Sequence, residues 1–173
     1  MPHDPTIVTQ RFLIRILRES DVSECYVSWM RDKTIMTWID SAKNFETLES
    51  LREYVRKNTG RSGCQLFGIF EKNTRSHIGN IKYEPISTSL NGAVMGVLIG
   101  ATHYRGKGVF REVFVPTAKK VSVDYDLDRI FLGVNPANKA AVSAYEKSGF
   151  EPYDLNDIEK KTFGDVSMCC RTN

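Results

Sequence analysis

The stretch that most constrains this chain is "AVMGVLIG", residues 93–100, followed after three residues by "YRGKGVF", residues 104–110. Ala93 to Ile99 is an apolar run of strand length, and a strand apolar on both faces belongs near the centre of a sheet. Past the glycines, Phe110, Val113, Phe114, Thr117, Ala118 and Val121 recur at helical spacing, so a helix is expected to begin close to Gly108. A helix start presents unpaired N–H groups and a positive dipole end. Gly106 and Gly108, with Arg105 and Lys107 among them, let the backbone approach a ligand, and the ligand this arrangement suits is an anion.

The rest of the chain is read around that unit. Its 173 residues, 41% hydrophobic and 26% charged, suit one globular domain spanning 1–173, with residues 1–8 expected as a loose tail. A net charge of +3 is compatible with an anionic small ligand and falls short of the clustered basicity of a nucleic-acid module. No apolar run reaches the ~20 residues of a membrane span, and the N-terminus lacks a signal pattern. Cys25, Cys64, Cys169 and Cys170 have no metal or disulfide spacing, so reduced thiols, no metal and a cytoplasmic location are expected.

Phe12, Ile14 and Ile16 predict an opening strand. Ser20 is expected to cap a helix with Val22, Cys25, Tyr26, Trp29 and Met30 on its apolar stripe, and a shorter turn follows Asp32. Thr47 caps the next helix, whose inner face carries Leu48, Leu51 and Val55. Residues 64–71 and 77–86 form a hairpin around Lys72 to Arg75. Gly96 suggests a bulge that opens the sheet. Pro116 threatens the helix it sits in at a cost of ~3 kcal/mol, with no compensating feature in the sequence. Arg129 to Val134 is another buried strand, a small-residue helix runs to Gly149, and Thr162 to Cys170 is expected to close the sheet. The fold class is therefore α+β, a mostly antiparallel sheet flanked by helices.

Two phosphate-binding motifs fail on residues. The GxxxxGK[ST] loop has the wrong glycine spacing and lacks a hydroxyl after Lys107. The GxGxxG fingerprint meets Arg111 at its third glycine. Arg105, Gly106, Lys107, Gly108 and Val109 instead resemble the R/Q-x-x-G-x-G/A cradle of the GNAT acetyltransferases, and "NPANKAAVSAYEKSGF", residues 135–150, is similar to a second motif of that family. The order of strands and helices matches over most of residues 11–168.

The resemblance implies that the strands at 93–99 and 129–134 splay apart and admit the pantetheine arm of acetyl-CoA against Val97, Leu98 and Ile99. It implies that the amides of Arg105, Gly106, Lys107, Gly108, Val109 and Phe110 meet the pyrophosphate, that Asn135 and Asn138 steady the cosubstrate, and that Tyr145 protonates the departing thiolate. Strand amides such as those of Val97 or Leu98 would stabilise the oxyanion. From the residues alone, Asn138 is equally a helix cap, Tyr145 has a second reading as a core residue, and Trp38 is either core or a wall of the acceptor groove. The chain departs from the family at Phe110, where Gly or Ala is usual, and at Ala93-Val94-Met95-Gly96, which lacks the usual glutamate base. Glu84 and His103 are substitutes by chemistry only, and a surface salt bridge or a solvated loop is the preferred reading of each. The resemblance implies an N-acetyltransferase acting on a primary amine of a small molecule, a nucleotide-linked amino sugar first, with a ribosomal-protein N-terminus or a non-catalytic acyl-CoA-binding module as alternatives. A homodimer is possible by analogy.

Overall fold

The computed structural model describes residues 6–38, 45 and 47–172. Eight strands form one sheet in the spatial order β1-β2-β3-β4-β5-β6-β8-β7. They are β1 (Ile7–Val8), β2 (Phe12–Ile16), β3 (Gln65–Glu71), β4 (His77–Ser87), β5 (Gly92–Ile99), β6 (Arg129–Leu132), β7 (Glu151–Pro152) and β8 (Met168–Arg171). Every neighbouring pair is antiparallel except β5 and β6. The helices are α1 (Glu24–Arg31), α2 (Lys33–Met36), α3 (Leu48–Asn58), α4 (Val109–Tyr125), α5 (Lys139–Glu146) and α6 (Asp157–Phe163).

Strand alternation sorts the core into two sides. Ile81 and Tyr83 of β4, Met95 of β5 and Ile130 of β6 pack against Val113, Phe114 and Val121 of α4. On the opposite face Leu66 and Phe70 of β3 meet Tyr26, Val27, Leu51 and Val55 of α1 and α3, while Phe131 of β6 meets Leu155 and Phe163 beside α6. Alternate side chains of a strand must point to opposite faces, so each strand serves both clusters.

Several expectations shift. The cap of α1 is Ser23, not Ser20, because Asp21 bonds the Arg18 amide at 2.8 Å and pairs with Arg15 at 2.7 Å, holding Glu19–Asp21 in a separate 3₁₀ turn. The helix accordingly buries Val27 and exposes Cys25. The stretch 162–170 is not one strand. Asn156 and Glu159 form a capping box that starts α6, Gly164 ends it at φ 68°, and only Met168–Arg171 joins the sheet. The register shift next to β5 falls between Tyr83 and Ile86 of β4 rather than at Gly96, since Pro85 has no N–H for the ladder. Within the expected tail, Ile7 and Val8 pair with Ile14 and Leu13, and residues 1–5 lie outside the described residues. All four cysteines are free.

Candidate active site

The cleft begins where β5 and β6 part. They pair in parallel only at Gly92 with Arg129, Ala93 with Ile130 and Val94 with Phe131. Beyond that, β6 follows its other neighbour: Leu132 pairs with Met168, the Ser167 amide donates to Leu132 O at 3.0 Å, and the Val134 amide donates to Ser167 Oγ at 3.3 Å. Pulled toward β8, β6 leaves Met95 to Ile99 of β5 with an open edge. An open strand edge is a template for one more extended chain. The resulting cleft has a volume of about 1160 Å³, and Val97, Leu98, Ile99, Asn135, Asn138 and Tyr145 all line it.

At its mouth the chain turns into α4. Gly106 and Gly108 have φ of 69° and 70°, a left-handed conformation natural to glycine, and a Cβ built on either would meet nothing within 4 Å. The backbone at both glycines is therefore open to a ligand, and the unpaired first-turn amides and dipole of a 17-residue helix favour an anion there. The Arg105 amide is outside this set, because it already donates to Thr102 O at 3.1 Å. Its guanidinium is a clamp: Nε donates to Ile99 O at 2.9 Å, Nη2 to Gly100 O at 3.0 Å and to Asp32 at 3.3 Å, and Nη1 to Thr34 Oγ1 at 3.1 Å. The Lys107 side chain is exposed and does not line the cleft; the Lys107 carbonyl accepts from Arg11 Nη2 at 3.0 Å. Arg11 also pairs with Glu112 at 2.7 Å, which ties β2 to the start of α4. Val109 is buried, and Phe110 turns inward, its ring 5.2 Å from Phe114 and 4.9 Å from Tyr145.

Tyr145 sits on α5, held edge-on to Phe110 with Phe150 at 5.9 Å. Burial pushes its phenol up from the ordinary value of 10.0, so it stays protonated and able to donate at neutral pH. Its hydroxyl has no hydrogen-bond partner among the described residues. Asn138 caps α5, its Oδ1 accepting from the Ala141 amide at 3.2 Å, and Asn135 Oδ1 accepts from the Ala137 amide at 2.9 Å; both also face the cleft. The two substitute bases stand apart from it. His103 is exposed on the turn before the cradle, its ring 4.3 Å from Tyr104, and Glu84 forms ion pairs with Arg61 and Lys82.

Of the far end of the cleft the sequence offered only Trp38, read as either core or a wall of the acceptor groove; it lines the cleft and is 44% exposed. The floor of that end is the face of β3, β4 and β5 that carries Leu66, Asn80, Lys82, Gly96 and Leu98, and its walls include Tyr26, Ile35, Trp38, Phe45 and Tyr54. The polar alternation of Asn80, Lys82 and Glu84 against Ile81 and Tyr83 was the available signal, since polar residues facing one side of an internal strand must meet a cavity or a partner. The charged residues lining the cleft, Lys82, Arg105, Arg111 and Lys147, are all cationic among the described residues. Among those residues no group of His, Cys, Asp or Glu is placed to hold a metal, and no helix is long and apolar enough to cross a membrane.

A mostly antiparallel sheet whose parallel neighbours part into a cleft, with an anion cradle at the mouth and a protonated phenol inside, defines an acyl-CoA-dependent acyltransferase. The chain belongs to the GNAT family: the acetyltransferase (GNAT) domain matches residues 11–151. It is thus an acetyl-CoA-dependent N-acetyltransferase. No curated protein matches it by sequence. Among solved structures it is similar to the ribosomal-protein-alanine acetyltransferase of Vibrio fischeri, with a TM-score of 0.79 and 17% identity over 98% of both chains. It is also similar to the spermidine N-acetyltransferase of Vibrio cholerae in complex with CoA and spermine, with a TM-score of 0.75 and 21% identity over 93% of this chain and 95% of that one. A GNAT-family acetyltransferase of Bacillus anthracis gives a TM-score of 0.73 at 22% identity, with 95% of both chains covered. At these identities the likeness speaks to the fold.

Proposed function

We propose that the chain acetylates a primary amine on a small molecule, a nucleotide-linked amino sugar being the preferred class, with Tyr145 as the acid. The observation that carries this is the continuous cleft running from the glycine cradle, past the open edge of β5 and Tyr145, to an end walled by Trp38, Phe45 and Tyr54. Acetyl-CoA, when bound, supplies the thioester carbonyl that an amine attacks. The residues fit it: the amides of Gly106 to Phe110 take the diphosphate, the edge at Val97, Leu98 and Ile99 takes the pantetheine arm, and Asn135 and Asn138 border the same arm. Holding two reactants in line can account for ~7–11 kcal/mol of barrier lowering, so positioning is the main contribution of this site. Tyr145, kept protonated by burial, supplies a proton to the leaving sulfur. Glu84 and His103 stay outside the machinery, so the acceptor amine loses its proton to water or arrives neutral.

Thiol release from acetyl-CoA across an amine panel, wild type against Tyr145→Phe, is the test. The variant is expected to lose about 100-fold or more in kcat with CoA affinity by calorimetry unchanged. Equal turnover would remove Tyr145 from the acid role, and a chain with no affinity for CoA would remove the whole assignment. The second reading, a ribosomal-protein N-terminus as acceptor, is favoured by the likeness to structural neighbours such as the ribosomal-protein-alanine acetyltransferase of Vibrio fischeri. Peptides with a free N-terminus in the same panel decide between the two.

A further inference from the structure

We propose that Lys82 recognises an oxyanion, a phosphate or a carboxylate, carried by the acceptor a few bonds from its amine. This rests on the acetyltransferase assignment of the cleft and narrows the acceptor class. Lys82 lies on β4 opposite Gly96 of β5 on one side and Leu66 of β3 on the other, in the floor of the acceptor end. Adjacent strands are about 4.8 Å apart, so its stem stands one strand away from the edge where the thioester would run. Gly96 leaves the intervening space open: a Cβ there would meet nothing within 4 Å.

The ammonium is held in place. Its Nζ sits 5.0 Å from the centre of the Tyr54 ring and pairs with Glu84, whose other oxygen is taken by Arg61. An ammonium has three N–H donors, and those not used by Glu84 have no partner among the described residues. Two cations against one carboxylate leave this cluster with an excess positive charge. The Lys82 side chain is 23% exposed, and burial, against an opposing contribution from Cys64 and aided by the Arg61 charge, pushes its pKa below the ordinary 10.5. An under-solvated cation with spare donors in a cavity is stabilised by an anion that enters with the substrate. Among the described residues the other charges lining the cleft are Arg105, Arg111 and Lys147, so a polycationic acceptor such as a polyamine meets repulsion from them.

Matched amines test this: glucosamine against glucosamine 6-phosphate, tyramine against tyrosine, and spermidine, each with acetyl-CoA and wild type, Lys82→Met and Lys82→Arg. In wild type the acid-bearing member of at least one pair is expected to have a kcat/KM at least tenfold above its neutral twin, and spermidine to be the poorest acceptor. The phosphate and carboxylate pairs show which oxyanion is meant. Lys82→Met should bring the preferred pair to within twofold of each other, mainly through KM of the acid-bearing member, and Lys82→Arg should restore the preference. Wild-type turnover that ignores acceptor charge, best turnover with spermidine, or an equal loss for both twins in Lys82→Met would overturn the proposal while leaving the acetyltransferase assignment standing. Absence of CoA affinity in wild type would instead overturn the assignment on which it rests.

Discussion

Phe110 shows how one side chain links the cradle to the chemistry. The sequence departs from its family there, and a bulky residue at the last position of an anion cradle is expected to crowd it. The helix resolves this: Phe110 sits in the first turn of α4 and points inward, stacking on Phe114 and meeting Tyr145 edge-on. The Phe110→Ala variant is expected to lose about 2 kcal/mol of stability, less than the 3–5 typical of a fully buried Phe. It should also lower kcat more than it weakens CoA binding, because Tyr145 loses the ring that fixes its orientation. Turnover at the wild-type rate would show that the phenol is held without Phe110. That Tyr145 lines the cleft was legible from its motif position, whereas for Glu84 a salt bridge was expected but not its partners, since Arg61 and Lys82 reach it from a loop and from two residues along its own strand.

Among the elements, α4 carries the largest contrast between local and tertiary information. Its interior Pro116 lacks the N–H for the Glu112 carbonyl, and nothing nearby in the sequence advertises a remedy. What the fold supplies is an anchor at the next residue, Thr117. Its Oγ1 donates back to Val113 O at 2.8 Å, with Phe114 O at 3.1 Å, and accepts from the Tyr83 hydroxyl of β4 at 2.8 Å. The contact to β4 fastens this turn of the helix to the sheet. The start of the helix was read correctly because glycine chemistry is local. Gly108→Ala places a side chain at φ 70°, which costs about 1 kcal/mol, and sets a methyl in the open space of the cradle. Calorimetry should find CoA affinity at least tenfold weaker; unchanged affinity would mean that the diphosphate sits elsewhere. Where local signals competed, as at Ser20 and Ser23 or along 162–170, only the Arg15–Asp21 pair and the Asn156–Glu159 box decided.

For the molecule as a whole, carboxylates tie distant segments together. Glu112 joins Thr9 and Arg11 of the β2 approach to α4 at 2.7–2.8 Å, and Glu159 of α6 holds Arg129 at 2.7 Å at the start of β6, where that strand is still paired with Gly92 of β5. Burial alone would raise both, but donors outweigh it: Thr9 and Arg11 for Glu112, and the Asn156 amide and Arg129 for Glu159, so each folded pKa lies below the ordinary 4.5. Groups with depressed folded values stabilise above the unfolded value and lose that contribution as pH falls through the folded one. Urea midpoints should therefore be flat from pH 7 to about 5 and drop below about 4.5, with the drop reduced in Glu159→Gln. A midpoint unmoved down to pH 3 would contradict this. What the sequence determined by itself was whatever depends on neighbours along the chain: strand and helix periodicity, the glycine turn that starts α4, the caps at Thr47 and Asn138, and the two family motifs. The tertiary structure alone decided how far β5 and β6 stay paired, which carboxylates are already engaged, and that Asn80, Lys82 and Tyr54 line one cleft. Those outcomes rest on contacts between residues far apart in the chain, and no local pattern encodes which of them closes first.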